Sequence, residues 1–137
     1  METGPRLKRG PGLLAQARGT AGEESAVHFL SGLGYRILER NFRTRTGEID
    51  IVARDQNTTV FVEVKRREAT GHGTAAEFVS PSKMRRVVSA ARLYAARHGL
   101  TDSLLRFDVV AIDVSGGREQ LRHHKGAFDA SGGSSRR

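Results

Sequence analysis

The run Arg106 to Val114 (RFDVVAIDV) is apolar at every position except its leading arginine and its two aspartates. A strand with one wet face would alternate, so a nearly unbroken β-branched run reads as a strand covered on both faces. The chain must then supply a layer for each side of the sheet. That requirement excludes a one-sided antiparallel sheet and points to an α/β arrangement.

Two segments can form those layers. Thr20 to Leu33 has Val27, Leu30 and Leu33 at i, i+3 and i+6, a T-x-x-E capping box at Thr20 and Glu23, and Gly34 to stop it. A second helix starts with Ser80 as N-cap and Pro81 at the first helical position, and continues to about His98, before Gly99. Its apolar face is Met84, Val87, Val88, Ala91 and Ala95. Tyr35 to Arg43, Glu48 to Ala53 and Val60 to Arg66 read as strands, the last following a turn over Asp55, Gln56 and Asn57. A short last strand around Gln120 to His123 carries a weaker signal. The expected order is αβββαβ plus that short strand, a mixed sheet flanked by helices. The first three strands form an antiparallel meander, and the crossover through the second helix sets the fourth parallel to the third.

At 137 residues the chain has the size of one domain. Residues 1–18 mix Gly, Pro and basic side chains and read as a disordered basic arm, with 19–128 the single domain and 129–137 a disordered tail. No cysteine occurs, which removes disulfides, thiol nucleophiles and thiolate metal sites. Neither a membrane-length apolar run nor a secretory h-region is present, so a cytoplasmic location without a membrane partner is expected. Lysine and arginine exceed aspartate and glutamate by 23 − 15 = 8. An excess of that size favours an anionic partner, most simply a phosphate backbone. No Walker A, dinucleotide fingerprint or H-E-x-x-H occurs, which sets aside P-loop hydrolysis, dehydrogenase chemistry and zinc proteolysis.

Alternation on the third strand turns Val60, Val62 and Val64 one way and Phe61, Glu63 and Lys65 the other. Glu63 and Lys65, about 6.6 Å apart along the strand, therefore share a face. Asp50, 63 − 50 = 13 residues earlier, can join that face if the two strands fold together. Two carboxylates beside a lysine suit metal-assisted phosphodiester hydrolysis, with hard oxygen ligands matching Mg²⁺. An exposed same-face ion pair fits the E-V-K tripeptide equally well. A carboxylate pair without a metal would suggest glycoside chemistry, against which stand the neighbouring Lys65, Arg66 and Arg67.

Gly22-Glu23-Glu24, Asn41-Phe42-Arg43, Gly47-Glu48-Ile49-Asp50, Phe61-Val62-Glu63-Val64-Lys65 and Arg106-Phe107-Asp108-Val109-Val110 occur in that order. Together they resemble the YraN-like family of small bacterial proteins over about Arg18 to Phe128. That family is similar in fold to the PD-(D/E)XK, or restriction endonuclease-like, nucleases, which include archaeal Holliday-junction resolvases. The resemblance implies a restriction endonuclease-like sheet, with Asp50 and Glu63 as ligands of Mg²⁺ or Mn²⁺ and Lys65 as the catalytic lysine. It also implies Glu23 as the helix-one acid that completes the catalytic and metal set, although the capping box gives Glu23 a competing role.

Lys83 and Arg86, one turn apart near the start of the second helix, form a candidate phosphate contact together with Arg66 and Arg67. A solvated basic face is the simpler reading of the helix pair. Glu48 is either a further acid near the metal or a solvent-facing strand end. Asp108 reads as a structural partner for a nearby arginine, and His72 as part of a mobile loop that could close over substrate. Tyr94 is preceded four residues earlier by Ala90, so the Q-x3-Y site of some nuclease relatives is absent. The expected activity is metal-dependent cleavage of DNA. The alternatives are a nucleic-acid-binding module of the same fold without cleavage and a basic protein adaptor; nothing in the sequence speaks to oligomeric state.

Overall fold

A computed structural model describes residues 13–68 and 79–130. The order is α1 (Leu13–Gly32), β1 (Arg36–Arg43), β2 (Glu48–Asp55), β3 (Thr58–Glu68), α2 (Pro81–Arg97), β4 (Leu104–Ser115) and β5 (Arg118–Phe128). The sheet runs β1-β2-β3-β4-β5, parallel between β3 and β4 and antiparallel elsewhere. This is the expected meander followed by a helical crossover, since parallel neighbours cannot be joined by a tight turn.

Among the described residues, each face of the sheet carries one helix. Leu30 and Ala26 of α1 pack on Ile51, Val60, Val62, Val110 and Ile112, while Val87, Ala91 and Tyr94 of α2 pack on Ile49, Val52, Phe61, Phe107 and Val109. β3 thus splits as its alternation requires, with Val60 and Val62 toward α1 and Phe61 toward α2. The phenol ring of Tyr94, absent from the expected apolar face, meets Phe42 and Phe61 edge-on at 5.2 and 5.8 Å. Ser80 caps α2 by accepting from the Lys83 N–H at 3.1 Å, as expected.

Three expectations change. α1 begins at Leu13, so Thr20 lies inside the helix and the Thr20–Glu23 box does not start it. Residues 13–18 of the expected arm are therefore helical; residues 1–12, the tail at 131–137 and His72 lie outside the described residues. Leu33 is 54% exposed rather than buried, because the side chains that α1 turns inward recur at Ala26 and Leu30. β5 is eleven residues long, far beyond Gln120 to His123. Gly116 and Gly117, both left-handed at φ 57° and 78°, make the two-residue turn that returns it along β4.

What holds β5 is Asp108. Its carboxylate, 0% exposed, accepts from Arg106 Nε at 2.9 Å and Nη2 at 3.0 Å, from the Gly126 N–H at 3.0 Å, and pairs with His123 Nε2 at 2.7 Å. The Gly126 contact lies where the β4–β5 register shifts, so a side chain bonds main chain that the ladder leaves out. Burial alone would raise the Asp108 pKa, but these donors outweigh it and hold the carboxyl below the usual range. Asp108 is the structural partner of an arginine, as expected.

Gly47 sets the distance between β2 and α2. A Cβ built there would overlap the carbonyl oxygen of Arg86, a main-chain atom that cannot turn aside. Gly47→Ala is therefore expected to lower stability by about 2–3 kcal/mol as helix and strand are pushed apart. Urea unfolding measures this, and a loss below about 0.5 kcal/mol would show that the two elements do not meet so closely.

Candidate active site

The ladder between β2 and β3 ends at Ile51↔Val62. Two residues further on, the Val64 N–H donates to Oδ2 of Asp50 at 2.8 Å, so a carboxylate takes the role of a main-chain carbonyl. The strands fork there. Ile49 packs in the α2 layer and Ile51 in the α1 layer, although residues two apart in a regular strand share a face. Asn41, in β1 beside this twist, is left-handed at φ 55°, a conformation that asparagine tolerates better than most residues.

The fork opens into a cleft of about 320 Å³ lined by Asp50, Glu63, Val64, Lys65, Val79, Ser80 and Lys83. Glu63 lies on the α2 face of β3 and is 4% exposed. Lys65 follows on the same face, half-buried. From the first turn of α2, Lys83 reaches in: its Nζ donates to Glu48 Oε2 at 3.0 Å and lies 3.7 Å from Glu63 Oε2. Arg43 Nε stands 3.7 Å from the other oxygen of Glu48.

Glu63 carries the least favourable charge. Burial, then the repulsion of Asp50, pushes its carboxyl up to about 8, with Lys83 opposing. Burial also raises Asp50, against the Val64 hydrogen bond. Each carboxyl is raised by burial, and the two lie close enough to lose their protons as a pair. When both are ionised, Oε1 of Glu63 is buried with no donor among the described residues. Such an atom calls for either a proton or a cation. Lys83 stays charged, because attraction to Glu63 and the bond to Glu48 outweigh its burial. Two hard carboxylates, one of them with a buried oxygen that no donor among the described residues reaches, fit a divalent cation such as Mg²⁺ or Mn²⁺.

Asp50, Glu63 and Lys65 are thus brought to one cleft. Glu23 is not. It projects from α1 to accept from Asn41 Nδ2 at 3.0 Å and Arg40 Nη2 at 3.5 Å, and among the described residues no three His, Asp or Glu side chains are placed to hold one ion. Burial nonetheless raises the Glu23 pKa, and the charge of Asp50 adds to the shift. Arg66 lies on the opposite face, packed under Gly22 and 3.5 Å from Glu119 Oε2, away from the cleft. Arg67 Nε donates to the Glu68 carbonyl at 3.2 Å. Arg86 is exposed on α2, close enough to lower the pKa of Glu48 behind the larger effect of Lys83.

Lys83 lies on the cleft and not on a solvated face, and Glu48 is its partner and not a bare strand end. A cation in a first turn without an acid already implied an anion nearby. That anion is a glutamate of the chain itself, 35 residues away in sequence.

These features define a mixed-sheet α/β domain with a buried acidic pair at a strand fork. The family model described as "Uncharacterised protein family UPF0102" matches residues 22–112, and the chain belongs to that YraN-like family. It is similar to a UPF0102 protein of Anaeromyxobacter dehalogenans, 46% identical over 117 residues, 85% of this chain and 87% of the relative. A UPF0102 protein of Geotalea daltonii is 47% identical over 112 residues, covering 81% and 88% of the two chains. One of Persephonella marina is 41% identical over 112 residues, covering 82% and 93%.

The acidic pair sets a pH dependence. A carboxyl whose pKa in the folded chain is above its unfolded value binds more protons when folded, so its contribution to stability is present below about 4.5 and is lost as pH rises to about 8. Without divalent cations, Glu63→Gln, which resembles the protonated acid, should melt at a higher temperature than wild type at pH 8 and at a similar one at pH 5. A constant difference in melting temperature across that window would remove the assignment.

Proposed function

We propose that the chain is a metal-dependent nuclease that cleaves DNA phosphodiesters. The observation that carries this reading is the convergence of Asp50 and Glu63 at the fork, beside Lys65, with a buried carboxylate oxygen that has no donor among the described residues. The resemblance of the motifs to PD-(D/E)XK nucleases supports it. Asp50 and Glu63 would hold Mg²⁺ or Mn²⁺, and the chemistry such an ion supplies is charge neutralisation at phosphate and a lowered pKa of water.

The chain's own residues prepare the rest. The Val64 N–H fixes the Asp50 carboxylate, so little reorganisation is needed when its charge is used. Lys65 faces the same cleft and can orient a nucleophilic water or steady charge developing on the phosphate. Arg43 and Arg86 flank Glu48 and give the rim a positive potential for the phosphate backbone. No described helix is long and apolar enough to cross a membrane.

The second reading is a DNA-binding module of the same fold that does not cut. It draws on the convergence of two carboxylates, not three, among the described residues. The test is cleavage of linear, single-stranded and branched DNA with Mg²⁺ or Mn²⁺ in excess. Asp50→Asn and Glu63→Gln should each slow cleavage by at least about 10²-fold while leaving metal-free DNA affinity level or slightly higher. Arg43→Ala with Arg86→Ala should weaken binding and flatten its salt dependence. Cleavage that survives Glu63→Gln at the wild-type rate comes from elsewhere; binding without cleavage of any substrate makes the module the better account.

A further inference from the structure

The structure places a second cation source inside the cleft. Lys83 stands in the first turn of α2, where the helix dipole disfavours a positive charge and no acid of that turn offsets it. Its ammonium is held from across the cleft, by a 3.0 Å hydrogen bond to Glu48 Oε2 and a longer 3.7 Å approach to Glu63 Oε2. The other oxygen of Glu63, Oε1, is buried and has no donor among the described residues. Glu48 is engaged by Lys83 on one oxygen and faces Arg43 at 3.7 Å on the other, so cations already bracket it.

We infer that Lys83 is a tethered counter-ion of the Asp50–Glu63 pair that a divalent cation must displace, with Glu48 the residue that retains the displaced ammonium. This rests on the metal-binding reading of that pair. The asymmetry of the two contacts carries it. Glu63 draws the ammonium by charge, whereas Glu48 hydrogen-bonds it. A dication on Asp50 and Glu63 cancels the first attraction and repels the ammonium, leaving the second intact. A built-in competitor holds metal affinity low, so that the cleft fills best when a phosphate adds its own oxygens to the ion.

The test is Mn²⁺ binding by the full chain, followed by calorimetry and by the electron paramagnetic resonance of free Mn²⁺ at one fixed pH. Lys83→Ala should bind Mn²⁺ about tenfold tighter or more, because a like charge near contact distance is gone. Lys83→Gln should move the same way and guards against misfolding of the first variant, which circular dichroism checks. Lys83→Arg, which keeps the charge, should stay near wild type. Arg85→Ala, which removes an exposed charge from the same helix, should change affinity by less than about twofold. Wild-type binding with unchanged or weaker affinity in Lys83→Ala and Lys83→Gln overturns this inference and leaves the metal reading standing. Equal tightening in Arg85→Ala also overturns it, since the effect would then be one of net charge. Absence of Mn²⁺ binding in every variant removes the metal reading and this inference with it.

Discussion

The parallel seam between β3 and β4, paired in register from Thr58↔Leu104 to Glu68↔Val114, governs the remaining architecture. Parallel strands need a crossover, and a central pair needs cover on both faces. α2 serves as crossover and as one cover, and α1 supplies the other. Burying the valine, isoleucine and phenylalanine side chains of this seam stabilises the fold by about 1.5–3 kcal/mol each. The same connection brings the start of α2 to the fork where Glu63 lies, with Gly47 permitting β2 to meet the Arg86 main chain. Site geometry is thus a consequence of how the central seam is closed.

Two buried acids on that seam are treated in opposite ways. Asp108 of β4 is surrounded by two nitrogens of Arg106, by His123 and by the Gly126 N–H, and is held ionised. Among the described residues, Glu63 of β3, almost equally buried, has one distant ammonium on Oε2 and no donor on Oε1, and is pushed toward the neutral form. Both are buried, so the difference lies in the donors aimed at Asp108 and in the like charge of Asp50 beside Glu63. A satisfied buried charge fastens structure, as Asp108 fastens β5 to β4. An unsatisfied one lowers the stability of the charged folded state and is retained where it has other work. Arg106 extends the Asp108 network to Asp55 at 3.2 Å and the Tyr35 hydroxyl at 2.7 Å, tying the sheet's centre to the β2–β3 turn and to the start of β1.

Much of this was legible in the residues. The continuous apolar run marked the buried strand, Ser80-Pro81 marked the start of α2, and the alternation of V-F-V-E-V-K put Glu63 and Lys65 on one face. Each is a local property, set by a period of two or by cap chemistry within a few residues. The length of β5 was not legible, because its polar sequence pairs along an exposed edge and is held by Asp108 and a two-glycine turn. Nor was the true start of α1, since Thr20 and Glu23 have the spacing of a cap while lying inside a longer helix.

The sequence by itself determined the strand and helix types, the double-sided burial of the central strands and the side-chain chemistry at Asp50, Glu63 and Lys65. Tertiary structure alone decided that Asp50 bonds the Val64 N–H, that Glu23 goes to Arg40 and Asn41, and that Lys83 meets Glu48 and Glu63. The reason is physical. Periodicity fixes which way a side chain points from its own backbone, but which charges meet depends on where the crossover sets α2 against β2 and β3 and on where the ladder between those strands stops.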